Sequence, residues 1–373
     1  MIYLDYNATT PIDREVADAM IPYVYENYGN PSSNHKLGIS NKKAVEKARC
    51  QVAHLLNCNA GEITFTSGGS ESNNTVIKGV AYTFSGQGGH IITSSIEHPA
   101  VLNPCHYLER NGYQISYLPV HHDGRVDYSN LEKLITENTI LATIMHSNNE
   151  TGVLQPIKEL VEICHRHGVL VHTDASQSVG KVPIDVEELG VDFLTIAGHK
   201  LYAPKGIGAL YTRKGIEIEP LIHGAGHELG RRAGTENVIF DVALGKACEL
   251  AEAALKDSTV KELTEYFYKE LKDIFGDKIK LNGDWENRLP NTLNLSFIGY
   301  NGTDVLTWLG EEYAVSTGSA CHSGMVSISP VLEAMNIPYE VARGAVRFSL
   351  GRYTTKEELN IVIDRLRTIH NFL

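Results

Sequence analysis

Cysteine is scarce in this chain of 373 residues: Cys50, Cys58, Cys105, Cys164, Cys248 and Cys321 are the only six, with no CxxC pair and no zinc-finger spacing. So few thiols in so long a chain exclude a disulfide framework and point to a reducing compartment. Basic charge is also in deficit, with 33 Lys and Arg against 45 Asp and Glu and a formal net charge of -12. That balance argues against a general binder of phosphate backbones. No apolar run approaches the ~20 residues that span a bilayer. The start, Met1-Ile2-Tyr3-Leu4-Asp5-Tyr6, has no basic n-region, apolar h-region or small-residue cleavage site. These absences predict a cytoplasmic protein with neither nucleic-acid nor membrane partners. Internal repeats and low-complexity segments are missing too. What is present is ordinary globular usage, 42% apolar and 21% charged, in a length that suits two domains at ~150 residues each.

The chain alternates between strand and helix patterns. Strands are expected at 62–66, 90–94, 114–118, 139–145, 169–173, 193–197 and 208–212, and helices at 72–84 and 156–167, with Pro156 in a first turn. Nearly continuous apolar strands indicate a sheet covered on both faces, and the alternation predicts a mainly parallel α/β sheet. Residues 238–275 read as one or two long helices connecting to a second domain. That domain carries strands at 292–297 and 345–349 and a closing helix from Lys356.

Three segments carry chemistry. In Gly68-Gly69-Ser70-Glu71-Ser72-Asn73-Asn74, two glycines follow a strand and open a helix, whose free N–H groups and positive dipole end make a phosphate site. The bland alternative is a strand-to-helix turn with Ser70 as N-cap. Asp174 ends an apolar strand, where open α/β sheets place their ligands, or else it caps the next helix. Lys200, in Ala197-Gly198-His199-Lys200, lies just past another strand. A lysine in such a cleft can lose proton affinity and bond to an aldehyde, although most lysines are merely solvated. Together, a phosphate cradle, a strand-end acid and a strand-end amine are the parts that pyridoxal phosphate requires.

Longer matches accompany these: Tyr3-Leu4-Asp5-Tyr6-Asn7-Ala8-Thr9-Thr10-Pro11, Gly29-Asn30-Pro31-Ser32-Ser33, Phe65-Thr66-Ser67-Gly68-Gly69-Ser70-Glu71, Asn148-Asn149-Glu150-Thr151-Gly152, Arg232-Ala233-Gly234-Thr235-Glu236-Asn237, Gly318-Ser319-Ala320-Cys321 and Val346-Arg347-Phe348-Ser349-Leu350-Gly351-Arg352. In these the chain resembles the class V, fold-type-I pyridoxal-phosphate enzymes, specifically cysteine desulfurases of the NifS/IscS type and the related selenocysteine lyases. The resemblance runs over the whole length. It implies a large α/β domain, residues 12–252, with a mainly parallel seven-stranded sheet. It also implies a smaller α+β domain made of residues 1–11 and 253–373, which carries the catalytic cysteine.

The resemblance also implies roles. Lys200 would hold pyridoxal 5'-phosphate and remove the substrate's α-proton. Asp174 would pair with the ring nitrogen, Gln177 with the ring hydroxyl, and His98 would stack on the ring and shuttle protons. Asn149 would touch cofactor and substrate, with Asn7 beside the substrate. Gly69, Ser70 and His199 would bind the phosphate, helped by Thr235 from a second subunit of a homodimer. Arg347 would clamp the substrate carboxylate. Cys321 would take the sulfur of L-cysteine as a persulfide, leaving L-alanine, and pass it to an acceptor such as an iron–sulfur scaffold protein. Its small, polar neighbours suit an exposed loop where a thiolate can form, unlike the apolar stretch around Cys164. The other five cysteines read as structural, and no metal site is visible.

Two departures stand out. Ala197 replaces a serine that many relatives use on the phosphate. Cys321 is followed by His322, and the run Ala320-Cys321-His322-Ser323 is similar to selenocysteine lyases, whose substrate is L-selenocysteine. His322 either tunes Cys321 or is a neutral substitution.

Overall fold

The computed structural model describes residues 1–84, 89–318 and 328–370. A short strand, β1 (Ile2–Tyr3), opens the chain. The strands β2 (Ile63–Thr66), β3 (His90–Ser94), β4 (Gln114–Leu118), β5 (Thr139–Thr143), β6 (Leu170–Asp174), β7 (Phe193–Ala197) and β8 (Gly208–Thr212) form one seven-stranded sheet of order β2-β8-β7-β6-β5-β3-β4. From β4 through β7 the pairing is parallel, while β8 runs antiparallel to both β7 and β2. The expected strands therefore form, with ends displaced by a residue or two. A mainly parallel sheet keeps the carboxyl ends of β2, β3, β5, β6 and β7 on one edge.

The expectation of two covered faces is met residue by residue. Ile91, Leu141, Phe193 and Leu210 pack beneath the helices Gly69–Thr83 and Pro99–Glu109. Their immediate neighbours Ile92, Ala142, Leu194 and Tyr211 point the other way, into a core with the helices Lys36–Leu56, Ile157–Arg166 and Val238–Ala254. With period-two alternation, two covered faces require apolar residues at consecutive positions.

Beyond β8 lie β9 (Ile279–Leu281), β10 (Thr292–Phe297), β11 (Tyr313–Ala314) and β12 (Ala345–Ser349). β10 is the centre of an antiparallel sheet with β12 and β9, and β11 pairs in parallel with β1. The stretch 238–275 is two helices, Val238–Ala254 and Thr259–Phe275. The first belongs to the large core. The second puts Phe267, Leu271 and Phe275 into a separate apolar cluster with Leu4, Phe297, Phe348 and the closing helix Lys356–His370. Pro156 is the N-cap of the helix Ile157–Arg166 and not a first-turn residue.

Candidate active site

At the edge where the strand ends collect, a cavity of about 440 Å³ opens, lined by Asn7, Gly69, Ser70, His98, Asn149, Asp174, Gln177, His199, Lys200 and Arg347. Its size is that of a small-ligand site. Of the residues expected from the sequence, these are brought together. Thr235 is exposed and is not part of this chain's cavity wall. Cys321 lies outside the described residues.

The helix Gly69–Thr83 starts at Gly68, with φ 147 and no side-chain cap. Ser70 is therefore not the N-cap, and the first-turn N–H groups remain available to an anion. The cradle is tight: a Cβ at Gly69 would lie 3.0 Å from Ser176 Oγ and 3.4 Å from Ala197 Cβ. Glu71 closes the outer side, accepting from Ser67 N at 2.8 Å and pairing with Arg232 at 2.9 Å. Burial alone would raise the Glu71 carboxyl, but these partners hold it below its ordinary range.

Asp174, the last residue of β6, is buried; Oδ2 accepts from Asn73 Nδ2 at 2.7 Å and Oδ1 from Ser176 N at 2.9 Å. The residues after it form a turn, so it does not cap a helix. Lys200 follows β7 in a short 3-10 turn, and its Nζ donates to the carbonyls of Asn7 and Ala8, the latter at 2.7 Å. Burial, helped by Arg347 and opposed by Asp5 and Asp174, lowers the Lys200 amine to about 8. His98 caps the helix Pro99–Glu109, its Nδ1 accepting from Ala100 N at 3.1 Å. That contact keeps the neutral ring's proton on Nε2. Desolvation by the crowded surroundings, with Lys200 nearby, lowers its proton affinity despite Asp174. His199 is pushed down to about 4 by burial and then by Lys200 and Lys205.

Arg347, on β12, donates to Asn149 O at 2.9 Å and pairs with Asp5 at 2.7 Å, while its buried Nε has no partner among the described residues. Asn7 is buried and fully engaged. Its amide N–H groups reach Thr292 Oγ1 at 2.8 Å and Asn149 O at 3.2 Å, and its Oδ1 accepts from Asn291 and Lys181, each at 3.1 Å.

Sequence reading missed Asn73, Ser176, Asp5 and Lys181. The first and third sit inside quoted motifs, and Asn73 lies four residues after Gly69 on the same helix face. Ser176 stands two residues past Asp174 and brings a hydroxyl to the cradle that Ala197 leaves without one. Nothing in the sequence distinguishes Lys181 from a solvated lysine. Of the five cysteines read as structural, Cys105, Cys164 and Cys248 are buried, whereas Cys50 is exposed and Cys58 half-buried. Burial raises the Cys105 and Cys164 thiols to about 12.

Known proteins match the chain over nearly its whole length. The aminotransferase class-V family model matches residues 2–362. The chain is 50% identical over 372 residues to cysteine desulfurase IscS of Dictyoglomus turgidum, covering 99% of this chain and 94% of that one. A NifS-like protein of solved structure superposes with a TM-score of 0.93 at 39% identity, covering 100% of both chains. The structure of SspA in complex with cysteine superposes with a TM-score of 0.85 at 37% identity, covering 95% of this chain and 100% of that one. The chain thus has the fold-type-I architecture of these enzymes and belongs to the class-V aminotransferase family, within its cysteine desulfurases.

Proposed function

We propose that this chain is a pyridoxal-phosphate-dependent desulfurase that takes L-cysteine to L-alanine and receives the sulfur on Cys321. The observation that carries the reading is one cavity in which an uncapped helix N-terminus, Asp174, Lys200 and Arg347 converge. The site fits the cofactor. The Gly69 cradle and its free amides suit a phosphate, with Ser70, Ser176 and His199 beside them. Asp174, held by Asn73 and Ser176, suits the ring nitrogen; Gln177 suits the ring hydroxyl and His98 the ring face. When bound, the cofactor supplies an electron sink for the substrate α-carbon.

The protein's own groups do the rest. The Lys200 amine, at about 8, is deprotonated in a useful fraction near neutrality and serves as the base for the α-proton. His98, neutral with its proton on Nε2, can give and recover one at the cavity mouth. Arg347 offers a guanidinium charge shared with Asp5 to a substrate carboxylate, beside Asn149. The Cys321 thiolate forms a bond to the substrate sulfur as the carbon–sulfur bond breaks. Ser316, five residues before Cys321 in sequence, pairs with Arg347 through backbone N–H to O contacts of 2.7 and 3.2 Å, which supports that role.

The protein acts as a homodimer in which Thr235 completes the partner's phosphate site. Exposed Ile21, Val24, Tyr25 and Leu229 support that reading. Its domains are 12–252 and 1–11 with 253–373, a division supported by the two apolar clusters, although Val331, Leu332 and Met335 reach back into the large core. A sulfur-acceptor protein, of the kind that builds iron–sulfur clusters, takes the persulfide sulfur, in the cytoplasm. No helix among the described residues is long and apolar enough to cross a membrane, and none of their His, Cys, Asp or Glu form a metal-holding group.

The Cys321-His322 pair favours L-selenocysteine as a second reading. Turnover of both amino acids by wild type and Cys321→Ala separates the two. Desulfuration of L-cysteine is expected to fall by orders of magnitude in Cys321→Ala. Full retention would overturn the persulfide step, and turnover of L-selenocysteine alone would replace the substrate.

A further inference from the structure

Lys181 has no role in the reading above, yet it sits against the site's back wall. Its Nζ donates to Gln177 Oε1 at 2.9 Å and to Asn7 Oδ1 at 3.1 Å. Both partners are neutral amide oxygens, an unusual pairing for an enclosed lysine, which normally meets a carboxylate. The amino group is enclosed although part of the residue reaches the surface. Burial, together with Lys200 and Arg347, lowers its proton affinity well below the ordinary lysine value.

The consequence is orientational. A primary amide can present either its oxygen or its NH2 in a given direction, and the partners decide which. With its oxygen fixed on Lys181, Gln177 turns its Nε2 to the Asn7 carbonyl, at 2.8 Å. That same carbonyl accepts from Lys200 Nζ. With its side-chain oxygen held by Lys181 and Asn291, Asn7 turns its NH2 to Thr292 and to the Asn149 carbonyl. One amine thus sets the two amides that border Lys200, one from the strand-end loop after β6 and one from the N-terminal segment.

We propose that Lys181 is a positioning residue that acts through Gln177: by holding Oε1 it fixes the Gln177 amide with its NH2 turned to the Asn7 carbonyl that also receives Lys200. This rests on the assignment of Gln177 to the cofactor. A lysine serves because its Nζ, charged or neutral, has N–H donors enough for both oxygens at once. A glutamine or methionine in its place would leave at least one amide free to flip.

The test uses the holoenzyme of Lys181→Met, which keeps the volume and removes both donors, with Gln177→Leu and the double variant. Two properties are read: the rate at which pyridoxal phosphate leaves on dialysis, and the pH at which the visible band of the bound cofactor changes. Lys181→Met is expected to lose cofactor about tenfold faster and to shift that pH by about half a unit or more. The double variant should be no worse than Gln177→Leu alone, because Lys181 acts through that amide. Lys181→Gln, which keeps an NH2 donor group on a shorter side chain, should fall between and covers failure of Lys181→Met to fold. Unchanged retention and band pH in Lys181→Met beside a defective Gln177→Leu would overturn the proposal, as would additive losses. A Gln177→Leu protein with wild-type retention and band pH would overturn the Gln177 assignment instead.

Discussion

At the scale of single residues, the site depends on groups that hold other groups. Asp174 is kept in place by one side chain, Asn73, and one backbone N–H, that of Ser176. Hydrogen bonds to a charged acceptor contribute about 1.5–3 kcal/mol, so Asn73→Leu is expected to lower kcat/KM about tenfold or more. The thermal midpoint should fall as well, because Asp174 Oδ2 is left buried without its side-chain donor. Steady-state kinetics beside a melting curve check this, and undiminished kcat/KM would mean that Ser176 N alone suffices. The acid and the lysine could be read from their places after apolar strands. Asn73 could not be singled out, because its partner Asp174 lies 101 residues away, nor could Lys181, whose amine is enclosed only once Asn7, 174 residues away, is folded against it.

Among the elements, the phosphate cradle depends on how closely the loop after β2 approaches β8. A Cβ at Gly208 would lie 2.5 Å from Ile196 O and 2.7 Å from Gly68 Cα. Both are backbone atoms that cannot swing aside. Gly208→Ala should therefore cost about 1–3 kcal/mol and push the Gly68–Gly69 turn off the cavity. A lower melting temperature together with weaker cofactor retention is expected, whereas lower stability with normal retention would show that the strand yields instead of the turn. The strands themselves were legible because both faces are apolar. The antiparallel insertion of β8 was not, since a continuous apolar run carries no sign of its direction.

For the molecule as a whole, buried ionisable groups shape the pH profile. Burial lowers His146 and His172 to about 4, from ~6.5 when unfolded. Between these values the unfolded chain binds the extra protons, so stability is full above ~6.5 and is lost as pH falls towards 4. Glu97 is the reverse: burial raises it to about 8, against Ser94 and Met145 N and with Asp174 adding to the rise. Its contribution is complete below ~4.5 and is lost as pH rises through 8. Thermal midpoints measured from pH 4 to 9 should fall on both sides for wild type. Glu97→Gln should flatten the alkaline side and His146→Gln the acid side. Parallel curves for wild type and Glu97→Gln would mean that the buried carboxyl does not take up a proton on folding.

The order of strands and helices, the edge on which ligands gather, and the acid, amine and glycine turn at that edge were all readable along the chain. They follow from local periodicity and from the strand-end rule for open α/β sheets. Which amide faces which way, the pairing of Arg347 with Asp5, the hydroxyl of Ser176 opposite Ala197, and the shared hold of Lys181 on Gln177 and Asn7 belong to the folded chain alone. They join segments far apart in sequence, and a hydrogen bond or a desolvated charge exists only once both partners have been brought out of water to the same place.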